Sequence, residues 1–155
     1  IVGTNYIPRM VDGVDIGGRL QIFNEWYKVD ARNREISAAI KERGLEYEII
    51  EADSGGGGLS VINEMRDLGI RGIRQAYKPG GSVERGIRWM RGLQAIEIGD
   101  DCPHAYREFS TYIYDTMRDG TNRNEFPDRD NHTIDPTRYS RVDEIFGGAG
   151  SRLLI

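Results

Sequence analysis

The sequence predicts a mixed α/β domain in which three short β-strands come first and strands and helices then alternate. Residues 1 to 27 hold three apolar or alternating runs, separated by Pro8 and Gly17-Gly18. Beyond them, stretches with helical spacing follow strand-like stretches, and the first two helical stretches close on Gly44 and Gly69. A chain of 155 residues with 38% hydrophobic residues is the size of one ordinary domain and can bury a real core.

The opening strand spans Ile1 to Ile7, and Pro8 stops it. A second alternation runs through Met10, Val11, Val14 and Ile16, with Gly17-Gly18 as the hairpin turn, since glycine tolerates positive φ. Leu20 to Tyr27 alternates around Leu20, Ile22, Phe23 and Trp26 as the third antiparallel strand. Asp30 stands where an N-cap would, and Ile36, Ala39 and Ile40 recur at helical spacing before Gly44. Tyr47 to Ala52 is an apolar strand ending at Asp53. Gly55 to Gly58 then loops into a helix with Leu59, Ile62, Met65 and Leu68 on one face. A strand over Gly72 to Tyr77 leads through Lys78-Pro79-Gly80-Gly81 to a third helix from Ser82, carrying Val83, Ile87 and Met90.

Residues 94 to 98 make one more strand, 103 to 111 a helix, and Tyr112 to Thr116 an extended run. Arg118 to Asn131 is a polar loop, the last helix starts near residue 133 or 135 and runs to about Ile145, and a glycine-rich tail follows. Three antiparallel strands and then helix, strand, helix, strand, helix is the order of an RNase H-like fold. Such a fold has a mixed central sheet, antiparallel then parallel, with helices on both faces. A flavodoxin-like sheet would not open on three consecutive strands.

Net charge is −4 and the pI is near 5.3, which excludes a protein that coats nucleic acid through a broad basic surface. The single cysteine, Cys102, has no disulfide partner and no zinc-ligand spacing, so it reads as a packing residue. No apolar run reaches membrane-spanning length and no secretory start is present, so we expect a soluble, intracellular protein without a membrane partner. Opening on Ile1 and closing on Leu153-Leu154-Ile155, the sequence reads as one domain cut from something longer.

Asp53 lies directly after a strand and before a glycine-rich loop, where a sheet exposes a carboxylate at its carboxyl end; the same position also suits a loop-capping Asp. The glycines lack the Lys and Thr of a phosphate-binding P-loop, and no such motif occurs elsewhere in the chain. His132 and Asp135 are three residues apart, on one face if the helix already runs through them; with Pro136 comfortable in a first turn, Asp135 equally suits an N-cap. Carboxylates from separated segments are what two-metal phosphodiester cleavage needs. Lys78 with Arg85, Arg88 and Arg91 offers a small basic strip for phosphates, or simply a solvated face. Tyr106, Phe109, Tyr112 and Tyr114 are assigned to the core rather than to base stacking.

From Glu51 to Tyr139 the chain resembles the nuclease domain of phage large terminase subunits. The resemblance is carried in order by Ala52-Asp53-Ser54, Ile62-Asn63-Glu64-Met65-Arg66 with Gly69, Lys78 with Gly81-Ser82-Val83 and Gly86-Ile87, Glu108-Phe109 with Tyr112, and Asn131-His132 with Ile134-Asp135 and Arg138-Tyr139. It implies an RNase H-like endonuclease with an acidic triad and two magnesium or manganese ions, cutting concatemeric double-stranded viral DNA in the host cytoplasm. The implied partners are a terminase ATPase domain, the small terminase subunit and the portal protein. In that pattern Asp53 is the second ligand and Asp135 the third, His132 stands beside the metal site, and Lys78 lies near the substrate. The first ligand belongs on the opening strand in a Gly-x-Asp pattern, where Gly3-Thr4-Asn5 offers Asn5; Asp15 in Gly13-Val14-Asp15-Ile16-Gly17 is the alternative, and strand count favours Asn5. A neutral Asn carbonyl would weaken cation binding. Two rival classes are another RNase H-like nuclease or resolvase and an impaired domain that docks on DNA or the portal without cutting.

Overall fold

The opening strand β1 (Val2–Ile7) pairs antiparallel with β4 (Arg19–Glu25), and β4 pairs parallel with β7 (Ala95–Ile98). The computed structural model describes residues 1–53, 58–112 and 131–147. They fall into two units, one of Ile1–Glu25 with Pro79–Ile155 and one of Trp26–Lys78.

In the first unit, strand alternation turns Leu20 and Ile22 of β4 inward, 0% and 1% exposed, and leaves Arg19 and Gln21 on the other face. Burying each of these two side chains contributes about 1.5–3 kcal/mol. Ile22 packs with Val2, Ile96, Ile98, Cys102, Ala105 and Phe109, which brings α4 (Pro103–Thr111) onto the sheet. A second cluster joins Ile87 and Met90 of α3 (Ser82–Arg91) to Ile134 of α5 (Ile134–Ser140), with Ile96, Phe109 and Tyr112 against it. The opposite face carries a polar row across the sheet: Asn5 Nδ2 donates to Gln21 Oε1, Gln21 Nε2 to Glu97 Oε2, and Arg19 Nη1 to Glu97 Oε1.

The segment expected as the middle strand folds on itself instead. β2 (Met10–Val11) pairs with β3 (Val14–Asp15) as a small hairpin, and its turn is Asp12-Gly13 rather than Gly17-Gly18. Asp12 at φ 50 and Gly13 at φ 79 supply the two positive-φ positions that the tightest hairpin turn requires. Asp15 then clamps the hairpin base, accepting from Tyr6 Oη, the Arg9 amide and the Gly17 amide.

In the Trp26–Lys78 unit, α1 (Asn33–Glu42) and α2 (Gly58–Asp67) accompany a parallel pair, β5 (Ile50–Ala52) with β6 (Ile73–Gln75). Ile40, Ile62, Met65, Ile70 and Ile73 are among its buried residues. Arg32, not Asp30, occupies the N-cap of α1: Asp30 is in the left-handed region at φ 55, and the Glu35 carboxylate reaches back to the Arg32 amide at 2.9 Å. Tyr47 and Ile49, expected in the strand, are 76% and 70% exposed and precede it. The Gly55-Gly56-Gly57 part of the expected loop lies outside the described residues.

Helices α3 and α4 and strand β7 match their expected spans. The last expected helix is broken at Arg141 into α5 and α6 (Val142–Ile145). Of the aromatic group assigned to the core, Phe109 and Tyr112 pack there, whereas Tyr106 is 66% exposed on the outer side of α4. Tyr114, the polar loop through Asp130 and the glycine-rich tail from residue 148 lie outside the described residues.

Cys102 is fully buried, and burial pushes its thiol up to about 11. A thiol without thiolate character is not a nucleophile. Native protein at pH 8 should therefore resist iodoacetamide over hours and label within minutes after denaturation; rapid native labelling, followed by mass spectrometry, would contradict the buried placement.

Candidate metal centre

Asp53 directly follows β5, with its carboxylate held outward at the strand's end. Lys78 Nζ lies 2.7 Å from Asp53 Oδ2, with the two side chains 42% and 44% exposed. A pair this wet contributes little to stability. It does show that the Asp53 oxygen accepts a cationic partner.

Asp135 sits in the first turn of α5, one residue inside the helix, where the dipole favours a carboxylate; the N-cap position belongs to Thr133. His132 precedes the helix and is exposed, so the two side chains flank the buried Thr133-Ile134 step. The Asp135 carboxylate is held from within its own helix. Its Oδ1 accepts from Arg138 Nη2 at 2.6 Å and Nε at 3.2 Å, and its Oδ2 accepts from Tyr139 Oη at 3.2 Å.

Arg138 is itself 3% exposed. Its aliphatic stem runs so close to α3 that a Cβ on Gly86 would fall 2.6 Å from Arg138 Cδ. Gly86→Ala should accordingly cost about 1–3 kcal/mol of stability, the usual size of an overpacking penalty, read as a drop in thermal midpoint; an unchanged midpoint would mean that Arg138 is free to move.

Asn5 is exposed on β1, its amide bonded to Gln21. The preceding residue, Thr4, points to the other face of the strand, where its hydroxyl meets Ser140 Oγ at the end of α5. Asp15 is consumed in its hairpin, with both carboxylate oxygens already engaged. Of the basic strip, Arg88 pairs with Glu84 one turn away and Arg85 lies 5.0 Å over the Phe146 ring, while Lys78 is the cation at Asp53.

Sequence reasoning gave no role to Glu108. It is 1% exposed in α4, with Oε2 accepting from the Thr133 amide and from Thr133 Oγ1, each at 2.6 Å. The signal was available: Ala105, Glu108, Phe109 and Tyr112 recur at helical spacing, which sets a carboxylate on the buried face.

Magnesium and manganese prefer hard oxygen donors, and the donor types here are suitable. Asp135 Oδ2 keeps acceptor capacity beyond its one long bond to Tyr139, and Asp53 already holds a cation. Among the described residues, no three His, Cys, Asp or Glu side chains form a metal-holding group by themselves.

Comparison with known proteins decides the family. The family model described as Terminase RNAseH like domain matches residues 10–143. The chain belongs to the terminase RNase H-like domain family. A terminase large subunit from Bacillus phage SPP1 is 44% identical to it over 73 residues, a match covering 46% of this chain and 17% of that protein. The chain thus spans a small part of the length of that terminase. The crystal structure of the nuclease domain of the large terminase of bacteriophage SPP1, solved with bound Mn, superposes with a TM-score of 0.73 at 31% identity. That match covers 81% of this chain and 71% of the other. The expected fold class holds: a terminase domain of mixed α/β type, with antiparallel and parallel strands and accompanying helices, matching the RNase H-like nuclease domain. No helix among its described residues is long and apolar enough to cross a membrane.

Proposed function

We propose that this chain is a single nuclease domain of a phage large terminase, a divalent-metal-dependent endonuclease that cuts double-stranded viral DNA during packaging. The observation that carries the reading is the structural likeness to a manganese-bound terminase nuclease domain over most of the chain. On this reading Asp53 and Asp135 supply carboxylate oxygens to the cations, and Asn5 supplies a neutral carbonyl oxygen at the first position. Asp15 stands as the alternative there, although its hairpin bonds occupy it. Bound magnesium or manganese, two ions per site, supplies the positive charge that lowers the pKa of a water and neutralises the charge developing during in-line hydrolysis of the phosphodiester. His132 positions the attacking water or a metal-bound carboxylate through a ring nitrogen, and Lys78, Arg85 and Arg88 contact phosphates.

The domain works with a terminase ATPase domain, the small terminase subunit and the portal, in the cytoplasm of the host. A manganese titration separates a nuclease from a docking relative: two ions per chain support the first, and one weak ion or none supports the second. Comparing the chain with Asn5→Asp locates the first ligand. Plasmid cleavage that rises only in the variant places it at position 5; equal cleavage in both, abolished by Asp15→Ala, moves it to Asp15.

A further inference from the structure

We propose that Glu108 is the positioning residue of the His132–Asp135 turn, holding it from behind by a carboxylate buried in α4. The inference rests on reading His132 and Asp135 as metal-site residues, but its geometry stands by itself. Every polar group of Thr133 is engaged. Its amide and hydroxyl donate to Glu108 Oε2, and its carbonyl accepts from the Thr137 amide at 3.2 Å and from Thr137 Oγ1 at 2.8 Å. Thr133, Thr137 and Ile134 are all at most 2% exposed, so the buried step is pinned while His132 before it stays exposed and Asp135 after it stays half-buried. The bonds from Thr133 to Thr137 are local to α5. The two to Glu108 reach across 25 residues and tie the turn to a separate helix.

A second observation makes a merely structural role a poor account. Glu108 Oε1 is buried with no hydrogen-bond partner, and no cation is paired with the side chain among the described residues. A glutamine would present the same acceptor oxygen to both Thr133 donors, so what the turn draws from position 108 is a buried acceptor at that place. Leaving Oε1 buried without a partner costs stability, a cost that is understandable where Oε2 must hold a turn to a defined position. The residues that flank the pinned step, exposed His132 and half-buried Asp135, are those proposed for the metal site. Placement of ligands by groups that do not touch the metal typically governs affinity by 10–100-fold.

The test uses the whole chain and manganese ion alone as the probe. Amide exchange at Thr133 and Ile134 is measured together with manganese affinity in Glu108→Ala, Glu108→Gln and Thr133→Val, with Ile22→Val as a destabilised control in the same unit. In Glu108→Ala we expect exchange at Thr133 to accelerate at least about 10-fold and manganese affinity to fall about 10-fold. Thr133→Val, which keeps the volume and loses one donor, falls about 3-fold, and remains informative should Glu108→Ala not fold. Glu108→Gln, whose carbonyl can accept both bonds, stays within about 2-fold of the parent and melts no lower. Wild-type affinity and exchange in both Glu108→Ala and Thr133→Val would overturn the proposal, as would an equal loss in Glu108→Gln or in the control. Asp135→Asn keeps the two readings apart: if it leaves manganese binding unchanged, the metal-site reading fails while the exchange data still judge the anchoring of the turn.

Discussion

If Asp53 and Asp135 are direct ligands as proposed, Asp53→Ala and Asp135→Ala should each reduce divalent-dependent cleavage of double-stranded DNA by more than about 100-fold, beyond the 10–100-fold typical of supporting residues. The two substitutions act through different surroundings. Asp53 is itself 44% exposed at a strand end and its ion pair is with a half-exposed lysine, so its loss should leave stability within about 0.5 kcal/mol of the parent. Asp135 is tied to a buried guanidinium, so its loss strands Arg138 and lowers the melting temperature as well. Single-turnover cleavage and thermal melting, measured side by side, separate these effects. Cleavage retained in both variants would remove the acidic pair from the chemistry.

Arg138→Met should cost about 2–4 kcal/mol, on the order of 5–15 °C in melting temperature for a domain of this size. The lower bound sits below the usual figure for a broken buried pair because the Asp135 side chain is 25% exposed and water partly replaces the lost partner. Methionine fills much of the volume beside Gly86, so the loss is mainly electrostatic. Freed of its two bonds to Arg138, Asp135 Oδ1 no longer has a fixed orientation, and manganese affinity should fall with stability. A double-mutant cycle with Asp135→Asn checks this; additive effects of the two substitutions would show that the bonds carry no coupling.

The helices α3 and α4 and strand β7 were legible because their apolar spacing, the Gly81 before Ser82 and the Pro103 at a helix start are local signals. The hairpin at residues 10 to 15 was not, because Gly17-Gly18 outweighed Asp12-Gly13 as a turn although both dipeptides suit one. The strand before Asp53 was overextended for a related reason: Tyr47 and Ile49 have β-forming side chains, but they are exposed and only Ile50 to Ala52 enters the ladder. At the candidate site, Asp53, His132 and Asp135 stood out through ordered motifs. Glu108 stood in one of those motifs, with Phe109, but neither the motif nor its helical phase assigned it a role, and the Arg138 contact with Gly86 joins helices distant in sequence, which periodicity along one helix does not register. Position 5 was visible only as a departure from a pattern. Its placement beside Gln21, on the face of β1 opposite Thr4, emerged from the pairing register.

The most direct test of the account is incubation of supercoiled plasmid with the purified chain in manganese, in magnesium and in EDTA. Conversion to nicked and linear DNA in either metal and none in EDTA is the predicted result. Intact plasmid under every divalent condition, or cleavage that persists in EDTA, would contradict a metal-dependent endonuclease.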